Sequence, residues 1–580
     1  MVSRPVTTRS ISRSVLLTSA LAAAGCSQGP KGPHAPGGAT LVLVGGRVHA
    51  LDPDAPAGAA PTAIAISGER IVAVGGDAFV RRLAGPGARV IELAGKTVTP
   101  GLIDAHCHLY GLGADLESVS LRGLGSEAEA VKVVAAAAAA RPAGEWLIGR
   151  GWDQNRWPGQ AFPTRAALDA AVGDRPVVLR RIDGHAIWAS SRALAAAKVT
   201  ATTPDPPGGK IVRGAGGEPT GVLIDNATAL VEAAIPAASA EARERRIRAA
   251  ARRAVEVGLT GVHDMGIEDA TADVYRALAA RRELPLRVYA FLSGDPGNLG
   301  RLGRGPAPAA GRFELRGVKF FADGALGSRG ARLYADYDDD RGNRGLWVTA
   351  PEALAAAVDA ATRTGWQVAV HAIGDAAVGS VLDAFGAAQK KYPGDHRLRI
   401  EHLQIIAPED LPRLVEARAI ASMQPTHATS DMPWAEQRIG AERVKGAYAW
   451  RTVLDKGVPL AAGSDFPVEE VSPLLGIYAA VTRQDGSGAP PGGWYPAQRM
   501  TLDEALAAFT YGAAYAGFAE DTRGRIAVGR LADLTVFDGA LAPDRSLLER
   551  KVALTIVGGE VVYEAKDVAG SAARTGGAGR

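Results

Sequence analysis

The middle of the chain alternates short apolar runs with alanine-rich segments of helical period, and this alternation restricts the fold more than any other feature. One such segment reads "PEALAAAVDAATRTG". Strands that alternate with helices join a parallel sheet, because each crossover needs the length of a helix. The candidate strands occupy residues 101–106, 259–264, 286–292, 317–323, 367–372, 398–403, 419–425 and 458–465. Eight strands of this kind predict an α/β chain that folds as a TIM (β/α)8 barrel.

The interval after the first candidate strand is far longer than a single βα unit. Residues 107–258 separate the first two strands, whereas the later strands follow one another at roughly the spacing of βα units. We therefore predict a barrel over residues 99–519 that carries a large inserted subdomain at about 115–245. This insertion contains Trp146, Trp152, Trp157 and Trp188. These aromatic side chains provide enough apolar surface for a core of its own.

Short β-branched runs separated by turns occur at both ends of the chain. They fill residues 40–98 and return over residues 520–566. We expect the two sets to pair into one small β-sandwich domain built from both ends. Residues 26–39 are rich in glycine and proline and predict a flexible tether. Residues 567–580 have a similar low-complexity composition and predict a disordered tail.

Residues 1–25 have the pattern of a secretory signal peptide. Arg4, Arg9 and Arg13 precede an apolar run that ends in small residues before Cys26. The run is too short for a transmembrane helix. Its Ala-Gly-Cys ending resembles a bacterial lipoprotein signal, although Ala23 stands where leucine is usual. This predicts a protein of the cell envelope, on the periplasmic or extracellular side, with a lipid anchor on Cys26 as its only membrane contact. A disordered N-terminus is the alternative.

The charge balance argues against nucleic acid as a partner, and the cysteine content argues against a disulfide. Removal of residues 1–25 leaves 62 basic and 62 acidic residues, so nothing in the mature chain calls for nucleic acid. The only cysteines are Cys26 and Cys107, and acylation of the first would exclude a disulfide. The sequence leaves open whether the chain forms a homo-oligomer.

Six residues able to act as metal ligands lie at the ends of five candidate strands. They are His106 and His108 on the first strand, Lys319 on the fourth, His371 on the fifth, His402 on the sixth and Asp465 on the eighth. The C-terminal ends of barrel strands are where active sites form. On an extended segment His106 and His108 share a face and Cys107 points the opposite way. This favours a metal clamp over a redox pair with Cys107 or two unrelated core histidines.

The order of these ligands resembles the amidohydrolase superfamily. The phrases "TPGLIDAHCHL", "GWDQNRWP", "RPVVLRRIDGHAIWASSRAL", "VKFFADGALGSRGA", "AVHAIGD", "RIEHLQ", "GSDFPV" and "GRIAVGRLADLTVFD" are similar to amidohydrolase family 3, which includes N-substituted formamide deformylases. The resemblance covers residues 40–565. It departs from the family at Ala189-Ser190-Ser191, where many members carry Asn-Ser.

The resemblance implies one or two divalent cations, most readily zinc. His106, His108 and Asp465 would hold one cation, and His371 and His402 a second. Lys319 would bridge them as a carbamate, because an unmodified lysine is protonated near neutral pH and ligates poorly. A salt bridge from Lys319 to a nearby acid such as Asp323 is the alternative.

The implied reaction is hydrolysis of a small-molecule substrate by a metal-activated hydroxide. Asp465 would be both ligand and catalytic acid and base, and the bond would be a carbon–nitrogen bond other than a peptide bond, in an amide, an N-formyl compound or a cyclic amide. Two alternatives stay open. The same scaffold serves a metal-dependent esterase, lactonase or phosphoesterase, and a degenerate site would make a noncatalytic ligand-binding lipoprotein.

Four further residues are candidate substrate contacts. His185 lies in the insertion, with a structural capping role as its alternative, and His263 ends the second strand and is expected to face the same mouth. Gln424 ends the seventh strand and is predicted either to orient substrate or to satisfy backbone groups. Trp152 is a pocket wall or part of the core of the insertion, of which the core is favoured. His427 is ambiguous.

The lipid anchor makes a prediction about fractionation. The variant Cys26→Ser removes the thiol that would carry the lipid, so we expect it to leave the membrane fraction while the wild type stays there. Immunoblots of separated membrane and soluble fractions measure this. A wild-type protein found soluble in the cytoplasm would contradict the anchor.

Overall fold

The computed structural model describes residues 38–54, 60–142, 144–297, 299–303 and 305–566. The predicted signal peptide, Cys26, most of the predicted tether and the predicted tail lie outside these ranges. Within the described ranges, no helix combines the length and apolar character that crossing a membrane requires.

Eight parallel strands form the central sheet and follow one another around it in chain order. They are β1 (Leu102–Cys107), β2 (Leu259–Ile267), β3 (Arg287–Ser293), β4 (Phe313–Phe321), β5 (Gln367–Ala372), β6 (Arg399–His402), β7 (Ile420–Met423) and β8 (Leu460–Ala462). Each overlaps a strand predicted from the sequence. The TIM barrel and the α/β class are therefore confirmed.

The gap between β8 and β1 is bridged by hydrogen bonds from the segment after β8. The amide of Asp465 donates to the carbonyl of His106 at 2.7 Å. The Ser464 hydroxyl donates to Asp104 Oδ2 at 2.6 Å, and the Ser464 amide donates to both oxygens of the same carboxylate. These contacts bring the two ends of the barrel sheet together.

Helices cover the outside of the barrel and close its ends. They are Leu109–Asp115, Ala240–Glu256, Asp269–Ala280, Pro351–Arg363, Asp375–Lys391, Leu411–Glu416, Pro425–Asp431, Ala435–Arg443, Trp450–Asp455, Pro473–Thr482, Leu502–Ala507 and Ala513–Ala516. In Ala240–Glu256, the Ser239 hydroxyl caps the first turn by accepting from the amide of Ala242. Its buried residues, Ile247, Ala250, Ala251, Ala254 and Val255, recur at helical spacing and face the barrel.

A β-bulge in β1 redirects its side chains just before the site. Val262 of β2 pairs with Asp104 and Asp264 pairs with Cys107, so β1 carries one extra residue between these pairs. Ile103, before the bulge, and Ala105, within it, belong to a small buried apolar cluster with Ala461 and Ala513. His106, the next residue of the bulge, approaches Asp465 instead. The bulge therefore sets which β1 residues face the site.

The insertion after β1 folds around its own six-stranded sheet. Its strands are Val119–Ser120, Leu147–Trp152, Val177–Arg181, Ala186–Ala189, Gly209–Arg213 and Pro219–Asp225, and its helices are Glu127–Ala139, Arg165–Val172, Ser191–Ala196 and Thr228–Glu232. Trp152, Trp157 and Trp188 meet with ring centroids 6.0–6.4 Å apart and are buried together. Trp146 is partly buried against a second cluster of the same insertion.

Two further sheets are built from the chain ends. A four-stranded sheet contains Ala39–Val44, Ala63–Ser67, Arg70–Gly75 and Ala84–Glu92, and a five-stranded sheet contains Arg47–Val48, Thr97–Pro100, Leu534–Phe537, Val552–Val557 and Glu560–Glu564. Thr97–Pro100 pairs antiparallel with Leu534–Phe537, so the ends of the chain share a sheet. Leu43 of the first sheet and Leu554 of the second lie in one buried cluster, which forms the predicted sandwich.

The strand ends differ in detail from the sequence patterns. The apolar run at 458–465 predicts a strand that reaches Asp465, yet β8 ends at Ala462. Asp465 has a φ of 62°, in the left-handed region that non-glycine residues rarely adopt. In the run at 419–425 the strand similarly ends at Met423, and Gln424 is the residue before the helix that begins at Pro425. Both strands therefore end before the last residues of their apolar runs.

Candidate active site

The six predicted ligands lie together at the C-terminal ends of the barrel strands. His106, Lys319 and His371 lie within β1, β4 and β5, and His402 ends β6. His108 and Asp465 follow β1 and β8. All are buried except His108, whose side chain is 34% exposed. The barrel thus brings residues from five strands to one place.

His106, His108 and Asp465 form the tightest group. The Nε2 atoms of the two histidines lie 3.5 and 3.2 Å from Asp465 Oδ1. Their Nδ1 atoms are engaged elsewhere, that of His106 with Glu401 Oε2 at 2.6 Å and that of His108 with the Met265 carbonyl at 2.9 Å. Both Nε2 atoms therefore point toward the same carboxylate oxygen.

His371 and His402 lie beside this group. Their ring centroids are 4.6 Å apart, and the ring of His402 is 4.7 Å from that of His106. Nδ1 of His402 is held by Gln424 Oε1 at 2.8 Å, which leaves Nε2 available. Nε2 of His371 faces the Gly324 carbonyl at 3.3 Å, so Nδ1 is the ring nitrogen of His371 that is left to bind a metal.

Lys319 reaches the middle of these ligands. Its Nζ lies 3.4 Å from His106 Nε2. The alternative salt bridge with Asp323 is wrong, because the Asp323 carboxylate instead accepts hydrogen bonds from the amides of Arg332, Ile373 and Gly374. Burial lowers the pKa of Lys319 to about 8, which favours its neutral amine far more than in an exposed lysine.

The protonation states suit a cation. Burial holds the pKa of His106, His371 and His402 well below the ordinary value, so these imidazoles are neutral near pH 7. Burial acts to raise the pKa of Asp465, but the approach of His108 and His106 outweighs it and the net shift is downward. Neutral imidazoles and an ionised carboxylate are the forms that ligate metals.

A buried network supports His106 from inside the barrel. Glu401, which contacts its Nδ1, also pairs with Nε of Arg399 at 2.8 Å. The Arg399 guanidinium donates further to the Ala105 carbonyl and the Ser422 hydroxyl. Both charged side chains are fully buried, and each is compensated by the other. A carboxylate behind a ligating histidine fixes its orientation and tautomer.

His427 joins the site although the strand-end pattern does not include it. It lies in the helix Pro425–Asp431, with Nε2 3.5 Å from Asp465 Oδ2 and its ring 5.7 Å from that of His402. Ligand atoms of His402, His427 and Asp465 lie within 4.8 Å of one another. In the sequence, only its position three residues after Gln424 hints at this location.

The four predicted substrate contacts lie in different surroundings: His185 lines a cavity at the site, and Gln424 lies behind His402. His185 lines the site: its Nδ1 bonds Asp225 Oδ1 at 2.7 Å, and its ring is 5.0 Å from that of His371. Burial opposes the charged form of His185, but the Asp225 carboxylate raises its pKa above the ordinary value. Gln424 instead orients His402, as described above, and its Nε2 donates to the Ser422 carbonyl.

The placement of His263 corrects the sequence-based expectation, whereas Trp152 lies in the core of the insertion, the favoured one of its two predicted places. Nδ1 of His263 bonds the buried Arg399 at 2.8 Å, and its ring lies 5.1 Å from that of Tyr289, so it packs in the barrel interior rather than facing the mouth. Trp152 is fully buried, and its Nε1 donates to the Leu179 carbonyl. It belongs to the core of the insertion, and neither side chain is available to substrate.

Two cavities flank the site under the insertion. One of about 380 Å³ is lined by His371, His402, His427 and Asp465 together with Arg181 of the insertion. Another of about 670 Å³ is lined by His108, Asp225 and Phe321. His185 lines both cavities. The first volume suits a small organic molecule rather than a polymer.

The chain is similar to known proteins along most of its length. The model of the amidohydrolase family matches residues 89–563. The chain is 36% identical to the amidohydrolase YtcJ of Bacillus subtilis over 83% of this chain and 91% of that protein. It is 30% identical to the N-substituted formamide deformylase of Arthrobacter pascens over 87% and 95% of the two chains.

A solved structure shows the same architecture. The crystal structure of an uncharacterized metal-dependent hydrolase from Pyrococcus furiosus superposes with a TM-score of 0.67 and 30% sequence identity, and the match covers 86% of this chain and 99% of that one. The family match spans the barrel, the insertion and most of the five-stranded terminal sheet. The chain therefore belongs to the amidohydrolase family and is a metal-dependent hydrolase.

Proposed function

We propose that this chain hydrolyses a carbon–nitrogen bond other than a peptide bond, in an amide, N-formyl or cyclic amide substrate. The observation that carries the proposal is the group of His106, His108 and Asp465, whose unengaged donor atoms converge beside a cavity of small-molecule size. The name of the Arthrobacter pascens relative, an N-substituted formamide deformylase, supports the choice of bond.

The donor set fits a divalent cation. Asp465 Oδ1 is buried and has no hydrogen bond, although two histidine nitrogens lie near it. A buried carboxylate oxygen in this position is costly unless a cation or proton compensates it. Imidazole and carboxylate donors suit zinc. We infer that His106, His108 and Asp465 hold one zinc ion and that Lys319, His371 and His402 complete a second site.

A bound divalent cation supplies a water nucleophile at neutral pH and polarises the substrate carbonyl. Asp465 receives the proton that this water releases, because its carboxylate is ionised and the residue lines the cavity. The same carboxyl group then returns the proton to the leaving nitrogen. His185, oriented by Asp225, contacts the substrate from the side of the insertion.

Metal removal tests the proposal. Exhaustive chelation, or the double variant His106→Ala and His108→Ala, is expected to abolish hydrolysis, because the first cation site loses its ion or its two imidazole ligands. Hydrolysis of para-nitroacetanilide and of N-formyl amines is measured beside para-nitrophenyl acetate, and added zinc is expected to restore the chelated wild type. His49→Ala, which changes a histidine paired at the surface with Asp503, is the control.

Full activity after chelation would contradict metal dependence. Turnover of the ester with none of the amides would contradict the proposed bond and favour an esterase. Tight binding of a ligand by metal-loaded protein without turnover of any compound would favour a noncatalytic role.

The position of Glu401 makes a second prediction. Glu401→Gln keeps the shape but removes the charge behind His106, so we expect metal affinity to fall about 10–100-fold. Competition with a chromogenic chelator measures the affinity. A thermal melt checks that the barrel stays folded although the buried Arg399 has lost its charged partner. Glu409→Gln, at an exposed position, is the control. Unchanged affinity in a folded Glu401→Gln protein would show that Glu401 does not support the site.

We also propose that Lys319 carries a carbamate formed with carbon dioxide, since its buried amine has no carboxylate partner within salt-bridge distance among the described residues. Metal-loaded protein in ¹³C-labelled bicarbonate is expected to give a carbamate carbon signal that Lys319→Met abolishes and the surface variant Lys445→Met keeps. A missing signal in the wild type, or one that survives in Lys319→Met, would reject the carbamate.

A further inference from the structure

His427 has a buried ring nitrogen that the proposed metal sites do not use. Its side chain is only 9% exposed, and the residue lines the smaller cavity. Nε2 is buried and makes no hydrogen bond in the structure. A buried polar atom without a partner costs free energy, so its retention beside a cavity points to a partner that arrives with the substrate.

The neighbour of His427 determines which of its nitrogens carries the proton. Gln404 Nε2 lies 3.0 Å from His427 Nδ1. An amide nitrogen donates and never accepts, so Nδ1 accepts this hydrogen bond and the neutral ring has its proton on Nε2. With this amide orientation Nε2 has no lone pair for a metal and is a hydrogen-bond donor.

The position of this donor is defined relative to the two oxygens of Asp465. Oδ1 of Asp465 faces His106 and His108, and Oδ2 lies 3.5 Å from His427 Nε2. The rings of His427 and His402 are stacked, with 18° between their planes. His427 therefore stands on the far side of the proton-accepting carboxylate from the His106–His108 pair. A carbonyl oxygen bound next to Asp465 Oδ2 would lie within reach of Nε2.

We propose that the Nε2–H group of His427 donates a hydrogen bond to the carbonyl oxygen of the substrate and to the oxyanion that forms from it. This inference rests on the proposed function. Water oxygen bonds to the carbonyl carbon, the carbonyl π pair moves onto oxygen, and the water proton passes to Asp465. When the carbonyl re-forms, the carbon–nitrogen bond breaks and the nitrogen takes the proton from Asp465. The products are a carboxylic acid and an amine.

A donor aimed at the developing charge acts on the transition state more than on the bound substrate. His427→Phe keeps the ring and removes the N–H group. We expect kcat to fall about 10²–10³-fold, the usual cost of losing one such donor, with little change in KM. His427→Gln places an amide N–H near the position of Nε2, so it is expected to recover most of this loss.

The experiment compares these variants as zinc-loaded proteins on the best substrate of the amide and N-formyl panel. Thr429→Val is the matched control, because it removes one hydrogen bond within the same helix, from the hydroxyl to the Thr426 carbonyl. Bound zinc per chain is measured by elemental analysis for each variant. Selective ¹⁵N-histidine NMR, assigned through the signal missing in His427→Gln, reports the tautomer of His427 without any substrate.

Each outcome decides the proposal. It is supported by a protonated Nε2, unchanged zinc content, a fall in kcat for His427→Phe and recovery in His427→Gln. A loss of zinc in His427→Phe would overturn it and make His427 a metal ligand beside His402 and Asp465. A protonated Nδ1 would overturn it because Nε2 would then have no hydrogen to donate. Unchanged kcat in His427→Phe would overturn the donor role alone. If the wild type hydrolyses none of the panel, the proposed function fails and the donor role fails with it.

Discussion

The arrangement of the site depends on how the last barrel strand meets the first. No long ladder joins β8 to β1; instead the buried carboxylate of Asp104 accepts hydrogen bonds from Ser464 and from the His106 amide. Burial raises the pKa of Asp104 to about 7, and these donors oppose the shift. The same junction holds the Asp465 amide against the His106 carbonyl. It brings the first and last ligands together in space, although nearly all of the barrel sequence lies between them.

A second constraint lies one layer deeper, in the barrel interior. Arg399 and Glu401 are fully buried charges on one strand, and their mutual pairing offsets part of the cost of removing each from water. Through His263, Ser422 and the Ala105 carbonyl, Arg399 connects β2, β7 and β1 to β6. The network thereby links the orientation of His106 to the packing of the barrel. We regard this interior as part of the active-site architecture.

Sequence patterns predicted the barrel well because they depend on local physics. Buried parallel strands need continuous apolar runs, which can be recognised in the sequence. The metal ligands lie at the ends of these runs, so their positions can be recognised as well. The same reasoning misplaced His263, because period-two alternation tells which face of a strand a residue occupies but not its depth within a closed barrel. It also gave Asp465 an extended backbone, whereas a residue with a positive φ turns its carboxylate toward both His108 and His427.

By itself, the sequence determined the α/β barrel, the insertion, the paired terminal strands and the six residues expected to ligate metal. The tertiary structure decided the partners of those residues: Glu401 behind His106, Gln424 behind His402, and His427 with Gln404 across from Asp465. The physical reason is that strand and helix patterns arise from neighbours in the chain. The direction of a ring nitrogen is set instead by one hydrogen bond, and for His106 its partner lies 295 residues away.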